Sequence, residues 1–240
     1  MSYRLAIATT TYKRPELTQA VFDWWSNLDI RGSDVYVWTI SGGDGQYKLP
    51  WDHYQIDNDP LGLKHNTTLR ICRPLRPDAV MVINSDTIVQ PRLIENTVRE
   101  LQNGALWIQP KELYFWHPES GRVSKAAQNS VTGAARAYSS RLLELMNWKL
   151  WDDDAEYKLD GNALKNIENL CRSTRTVFGD ASKGHYHMLG AREVEGAVLD
   201  IKTDVNMWPY DDAKAITRAQ DVDPSILESF EIERLNYGSA

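Results

Sequence analysis

Short apolar runs alternate with helical patterns along the first 110 residues, and no other feature of the chain constrains the fold as strongly. The apolar runs occupy residues 3–8, 34–40, 79–83 and 105–109. Helical spacing between them predicts helices that begin near Pro15, Leu61 and Pro91. Buried parallel strands read as continuous apolar runs, and right-handed crossovers place helices on both faces of the sheet. The pattern therefore predicts an open α/β fold with a Rossmann-like, mostly parallel central sheet.

The second half of the chain is less regular. Its patterns predict the following elements: a hairpin of residues 113–116 and 122–125, helices over 141–147 and 159–171, and strands near 185–189 and 193–199. No repeat, low-complexity tract or linker separates this half from the first. We therefore expect one domain over residues 1–240.

Composition excludes several classes of protein. Lys and Arg number 27 and Asp and Glu number 33, which gives a net charge of −6 and disfavours a general nucleic-acid coat protein. The two cysteines cannot form a disulfide framework or a four-thiolate zinc site. No stretch approaches the roughly 20 apolar residues that span a bilayer, and the first residues do not read as a secretory signal. We expect a soluble, cytoplasmic protein.

Polar loops follow the first three predicted strands, at residues 9–14, 41–46 and 84–86. In open α/β sheets, ligands bind beyond the carboxyl ends of the strands. Asp86 is held at such an end, and its carboxylate is a candidate ligand for Mg²⁺ or Mn²⁺, which prefer oxygen donors. An ordinary strand-to-turn junction is the simpler alternative, since Asn, Ser and Asp are common in turns.

The first loop has the composition of an anion site. Hydroxyl groups and the two cations Lys13 and Arg14 stand directly before a predicted helix N-terminus. The sequence has no GxGxxG after the first strand and no GxxxxGK[ST], which argues against a dinucleotide-binding Rossmann site and excludes a P-loop. The glycines of 42–45 indicate a loop with positive φ and nothing more specific.

The second half contributes one acid and two histidines as candidates. Asp160 precedes a helical pattern, so it is either an N-terminal helix cap or a general base. His185 and His187 share one face of a predicted strand, because strand side chains alternate. They are either structural histidines or metal ligands, and one of them could join Asp86.

An ordered series of motifs resembles the family 2-like glycosyltransferases of the GT-A fold. The matching segments, in chain order, are 10–17, 41–45, 61–66, 79–91 and 159–160. Three positions depart from the family pattern. Asn84 replaces the first acid of Asp-x-Asp, Leu159 replaces the first residue of an acidic pair, and His65 stands where the family has Arg.

The resemblance implies a GT-A type domain that transfers a sugar, from a UDP-sugar or a similar donor, to an acceptor hydroxyl. Single displacement by that hydroxyl inverts the anomeric carbon, and retention is the alternative outcome. It implies Mn²⁺ or Mg²⁺ as cofactor, with Asp86 and either His185 or His187 as metal ligands, and Asp160 as the catalytic base. The donor-site residues that it implies are Thr10, Thr11, Tyr12, Arg14, Asp44, Lys64, His65 and Ser85. Residues 1–110 would form the nucleotide-sugar-binding half and residues 111–240 the acceptor or catalytic half.

Two other functions stay open at this point. A nucleotidyltransferase could use a similar sheet, although that class has a glycine-rich first loop and Thr9–Arg14 contains no glycine. A non-catalytic nucleotide-sugar-binding module is favoured by Asn84, where an acid is missing.

The acceptor is a glycan, a small molecule or a nucleic-acid base carrying a hydroxymethyl group. The nucleic-acid acceptor depends on three arginines at a spacing of three residues, Arg70, Arg73 and Arg76. These arginines form either a basic patch that binds nucleic acid or an ordinary solvated face. The flat rings of Trp116, Trp148 and Trp151 are candidates for stacking on sugar rings or for core packing.

Overall fold

The computed structural model describes residues 3–28, 33–42, 53–57, 60–127, 133–203, 206, 209–235 and 237. The strands are β1 (Tyr3–Thr11), β2 (Ser33–Gly42), β3 (His53–Ile56), β4 (Ala79–Asn84), β5 (Thr87–Val89), β6 (Trp107–His117), β7 (Arg122–Lys125), β8 (Arg136–Ser139), β9 (Ala191–Ile201) and β10 (Gln220–Asp221). The α-helices are α1 (Pro15–Ser26), α2 (Leu61–Cys72), α3 (Pro91–Gln102), α4 (Ser140–Leu145), α5 (Leu159–Thr174), α6 (His185–Met188) and α7 (Tyr210–Thr217). Short 3₁₀ helices cover Arg73–Leu75, Ala181–Lys183, Pro224–Phe230 and Ile232–Arg234.

One sheet runs through the molecule in the order β10-β7-β6-β8-β4-β1-β2-β3, and β9 pairs with β6 and with β5. The four strands β3, β2, β1 and β4 are parallel to one another. Beyond β4 the neighbours are antiparallel, except that β9 runs parallel to β6. The α/β class is confirmed, and the predicted parallel arrangement holds for the first half of the chain.

The central strand β1 separates two layers of core. Leu5 and Ile7 point to one face, and Ala6 and Ala8 point to the other, because strand side chains alternate. Helices α1, α3 and α7 pack on the first face, and α2, α4 and α5 pack on the second. With both faces covered, β1 and β4 are largely buried, which explains why residues 3–8 and 79–83 read as continuous apolar runs.

Local signals explain where several helices begin. Pro15 and Pro91 occupy the first turns of α1 and α3, where the fixed proline φ suits a helix and no amide donor is lost. The Ser139 side chain accepts a hydrogen bond from the Leu142 amide and caps α4. No helix in the described part of the chain combines the length and apolar character needed to cross a membrane.

The fold differs from the sequence prediction at several elements. Residues 185–188 form the one-turn helix α6, whereas a strand is predicted over 185–189. Strand β6 extends through Pro110 to His117, with a register shift after Pro110, and so joins two segments that the pattern predicts separately. The predicted hairpin is confirmed, because the end of β6 pairs with β7. Elements that the prediction misses are β3, β5, β8, β10 and α7.

Both cysteines are buried as free thiols on the second face of the sheet. Cys72 ends α2, and Cys171 lies in α5. Burial raises the pKa of Cys72 to about 12 and also raises the pKa of Cys171.

Candidate functional site

A cavity of about 370 Å³ opens beside the carboxyl ends of β4 and β9. Its apolar wall includes Leu113 and Phe115 from β6 and Ile216 from α7. Its polar wall contains His65, Asn84, Trp151, Asp160, Asp200 and Lys202. The cavity therefore lies at the sheet edge where a ligand is expected in an open α/β fold.

Asp160 lies in the first turn of α5, at the wall of the cavity. Lys158 takes the position before the helix, so Asp160 is not the N-terminal cap that the sequence offers as an alternative role. A Cβ at Gly133 would collide with the Asp160 carboxylate, so the loop before β8 approaches this acid closely. The helix N-terminus favours a negative charge at this position.

Arg136 holds the segment that carries Asp160. Its guanidinium is buried, donates from Nε to Gln109 Oε1 at 2.8 Å, and donates from Nη1 to the Asp160 carbonyl at 3.3 Å. It also lies 5.4 Å from the ring centroid of Trp107. The sequence analysis missed this residue because the short strand β8 carries no clear pattern. Arg136 therefore ties β8 and β6 to the start of α5.

Asp86 lies in the turn between β4 and β5, and it is only 4% exposed. Its Oδ2 accepts hydrogen bonds from Arg14 Nη1 at 2.6 Å and from Asn206 Nδ2 at 2.8 Å. Burial opposes ionisation, but the charges of Arg14 and Lys202 outweigh it and hold the pKa of Asp86 below its usual range. The carboxylate is therefore ionised, with both donors on Oδ2, whereas the buried Oδ1 accepts no hydrogen bond from the described residues.

A second buried ion pair lies next to Asp86, at the end of β9. The Lys202 ammonium is 2.8 Å from Asp200 Oδ2, and both side chains are buried. Burial, and then the negative charge of Asp86, raise the pKa of Asp200 against the attraction of Lys202. Asp200 and Lys202 were not predicted as site residues. They lie at the end of a strand, which is the same signal that singles out Asp86. Asp200 and Lys202 both line the cavity.

His65 brings the first loop into contact with the cavity. Its Nε2 is 3.5 Å from Thr10 Oγ1, and its ring centroid is 5.1 Å from that of Trp151. Burial, together with the charge of Lys64, lowers the pKa of His65 to about 4. The imidazole is therefore neutral at physiological pH.

The other predicted donor-site residues are placed around this loop. The buried Lys64 ammonium donates to the Thr11 carbonyl at 2.6 Å, so it fixes the loop from beneath instead of lining the cavity. Tyr12 is 43% exposed, and the ammonium groups of Lys13 and Lys64 lie 4.8 and 5.7 Å from the centroid of its ring. Ser85 is buried, and Asp44 lies outside the described residues.

His185 and His187 are placed away from Asp86, contrary to the sequence prediction that either could share a metal with it. They lie in α6, before the first residue of β9, whereas Asp86 lies beside the last. A strand of this length spans on the order of 30 Å. His185 Nε2 instead pairs with Glu168 Oε1 at 2.7 Å. The period-two pattern was misleading because residues 185–188 form one helical turn.

The described residues around Asp86 do not fit a divalent ion. No group of three or more His, Cys, Asp or Glu side chains is arranged to hold a metal within the described ranges. Arg14 and Asn206 already donate to Asp86, and the Lys202 ammonium is close enough to lower its pKa. A divalent ion would meet these positive charges in a buried setting, where like charges repel strongly.

Ion pairs involve two arginines of the predicted basic patch, and core packing involves two of the three predicted tryptophan platforms. Arg70 and Arg73 pair with Asp153 and Glu144 at 4.0 and 3.0 Å. Trp116 and Trp148 pack against or within the core, whereas Trp151 lines the cavity.

The fold is similar to that of several solved structures, although the sequence matches no protein-family model and no curated protein. Glucosyl-3-phosphoglycerate synthase from Mycobacterium tuberculosis, in complex with Mn²⁺, UDP and glucosyl-3-phosphoglycerate, matches with a TM-score of 0.51 and 14% identity, over 98% of this chain and 80% of that one. TarS 1–349 from S. aureus, in complex with UDP, matches with a TM-score of 0.51 and 9% identity, over 84% of this chain and 58% of that one. The chain thus spans less than two thirds of the TarS fragment. The matches show that this chain has a GT-A-like fold.

Proposed function

We propose that this chain transfers a sugar from a nucleotide diphosphate sugar to an acceptor hydroxyl, with Asp160 as the base. The observation that carries this proposal is the shared cavity. Asp160 and the cation of Lys202 line the same space, at the edge of the sheet where open α/β folds bind ligands. The GT-A-like fold supports this assignment, because both neighbours described above are in complex with UDP.

In the proposed reaction, the Asp160 carboxylate accepts the proton of the acceptor hydroxyl. The acceptor oxygen forms a bond to the anomeric carbon of the donor sugar. The bond from that carbon to the diphosphate oxygen breaks, and the electron pair leaves with the nucleoside diphosphate. Attack from the face opposite the leaving group inverts the anomeric carbon. General base catalysis of this kind contributes about 10²- to 10⁴-fold in rate.

The nucleobase end of the donor is assigned to the first loop. Thr10 supplies a hydroxyl beside His65. A base stacks on the ring of Tyr12 once the Lys13 ammonium, which lies 4.8 Å from the ring centroid, moves aside. Uridine is the base we propose, because UDP is the nucleotide of both neighbours. This arrangement would place the sugar near Asn84 and Trp151, within reach of the cavity wall.

The test is turnover of a panel of UDP-sugars, with glycans, small alcohols and hydroxymethylated DNA as acceptors. We expect release of UDP together with a glycosylated product. Release of pyrophosphate from a nucleoside triphosphate and a sugar phosphate would identify a nucleotidyltransferase instead. Binding of a UDP-sugar with no turnover on any acceptor, and without hydrolysis, would identify a binding module.

A further inference from the structure

Two carboxylates and two cations are gathered beneath the proposed donor site. Asp86 and Asp200 carry the negative charges, and Arg14 and Lys202 carry the positive charges, so the cluster of these four side chains is formally neutral. All four have side chains that are 15% exposed or less. In a medium of low effective dielectric, cations that lie close together repel strongly. A divalent ion bound here would lie beside the cations of Arg14 and Lys202.

Lys202 is the cation of this cluster that lines the cavity. Asp200 is its one ion-pair partner among the described residues, at 2.8 Å. An ammonium group has three donors, so Lys202 retains donors for an anionic ligand. The carboxylates of Asp200 and Asp86 raise the pKa of Lys202 in spite of its burial, which keeps it charged.

Arg14 supports this arrangement from the other side of Asp86. Its guanidinium donates to Asp86 Oδ2 at 2.6 Å, so one oxygen of this carboxylate is paired within the protein, whereas Oδ1 is buried and accepts no hydrogen bond from the described residues. Asn206 also donates to Oδ2, at 2.8 Å. The acid that the sequence resemblance assigns to metal binding thus acts here as an anchor for cationic and amide groups.

We infer that Lys202 supplies the positive charge that binds the donor diphosphate, and that nucleotide binding needs no divalent metal. This inference rests on the proposed function, since it concerns the same donor. The ammonium would donate hydrogen bonds to the diphosphate oxygens in the ground state and to the leaving group as the glycosidic bond breaks. Lys202 is therefore the counterpart of a metal ion, provided by the end of β9.

The experiment is calorimetric titration of UDP into the full-length protein, in EDTA and again in MnCl₂. We expect the Kd for UDP to change by less than about threefold between the two conditions. The variant Lys202→Met should weaken UDP binding about 10- to 100-fold in EDTA, because it removes a charged hydrogen bond. Lys202→Arg keeps the charge and should retain most of the affinity.

The matched control is Lys214→Met. Lys214 also pairs with an acid, Asp221, at 2.6 Å and is partly buried, but it does not line the cavity. We expect its Kd for UDP to equal that of the wild type. Circular dichroism of each variant shows whether it is folded, and the wild-type comparison in EDTA decides the question even if Lys202→Met does not fold.

The outcomes separate this inference from the proposed function. UDP binding that requires Mn²⁺ overturns the inference and leaves the glycosyltransferase proposal intact. Equal affinity of the wild type and a folded Lys202→Met variant overturns the role of Lys202. Absence of UDP binding in both conditions overturns the proposed UDP-sugar donor, and the inference with it.

Discussion

The two acids that the sequence singles out, Asp86 and Asp160, have opposite environments. Asp86 is buried and held by Arg14 and Asn206, whereas Asp160 lines the cavity at a helix N-terminus. Asp86 is thus bound into the protein, and Asp160 is available to a substrate. The comparison shows that the position of an acid at the end of a strand does not by itself identify a metal ligand. The side chains that neighbouring segments place around the acid decide its role.

The largest effect that separates the two acids is expected in turnover. Asp160→Asn keeps the shape of the side chain but removes the base, so kcat should fall about 10²- to 10⁴-fold with the free energy of unfolding unchanged. Steady-state release of UDP measures the rate. Asp154→Asn alters an exposed acid of the preceding turn and serves as the control. A kcat within about twofold of the wild type would reject Asp160 as the base.

Asp86 should instead act on stability. Asp86→Asn leaves the largely buried guanidinium of Arg14 without the ionised carboxylate of Asp86, and breaking a pair of this kind costs about 3 kcal/mol. Urea unfolding followed by fluorescence measures the loss. The same Asp154→Asn variant should unfold like the wild type. An Asp86→Asn protein as stable as the wild type would show that the ion pair contributes nothing to the fold.

His65 should make stability depend on pH. An unfolded imidazole takes up a proton near pH 6.5, whereas buried His65 does so only near pH 4, so the unfolded chain binds more protons between these values. The contribution of His65 to stability is therefore lost as pH falls through this window, and it amounts to about 2 kcal/mol between pH 7 and pH 5.

The variant His65→Gln isolates this contribution, because Asp200 has a raised pKa and opposes it in the wild type. Urea unfolding at both pH values should give a smaller loss for His65→Gln than for the wild type. Equal losses would contradict the burial of a neutral His65.

Gly133 offers the smallest of the expected effects. A Cβ at this position would collide with the Asp160 carboxylate, so Gly133→Ala should displace the base and lower kcat about tenfold. Gly161→Ala is the control, since a Cβ there meets no atom within 4 Å. In the Asp160→Asn background, Gly133→Ala should have no further effect on kcat. Additive losses of kcat in the double variant would show that Gly133→Ala does not act through Asp160.

The sequence was sufficient for elements whose signals are local. The segment Pro91–Gln102 begins with proline and has a regular apolar face, and α3 begins at the residue where the helix is predicted to start. Strand β4 was predicted to within one residue because five apolar residues follow one another. The order of the elements predicted an open α/β fold, and the ordered series of motifs predicted its GT-A-like form.

The site was less predictable because its charges come from distant parts of the chain. Asn206 donates to Asp86 across 120 residues, and Asp200 and Lys202 reach the same place through β9. No local sequence pattern predicts that β9 ends beside β4. Asp160 was found because it belongs to a motif, whereas the partners of Asp86 belong to none. The prediction that His185 or His187 binds a metal with Asp86 was wrong, because two histidines separated by one residue do not determine a strand.

The rate at which the two buried thiols are alkylated can measure local opening of the protein. An alkylating reagent attacks the thiolate, and burial disfavours that form at both Cys72 and Cys171. Labelling in the native state therefore requires α2 or α5 to detach from the sheet. Because α5 also carries Asp160 and α2 carries His65, a nucleotide that bridges these helices would slow the reaction, and the labelling rate would record how firmly the two walls of the cavity are joined.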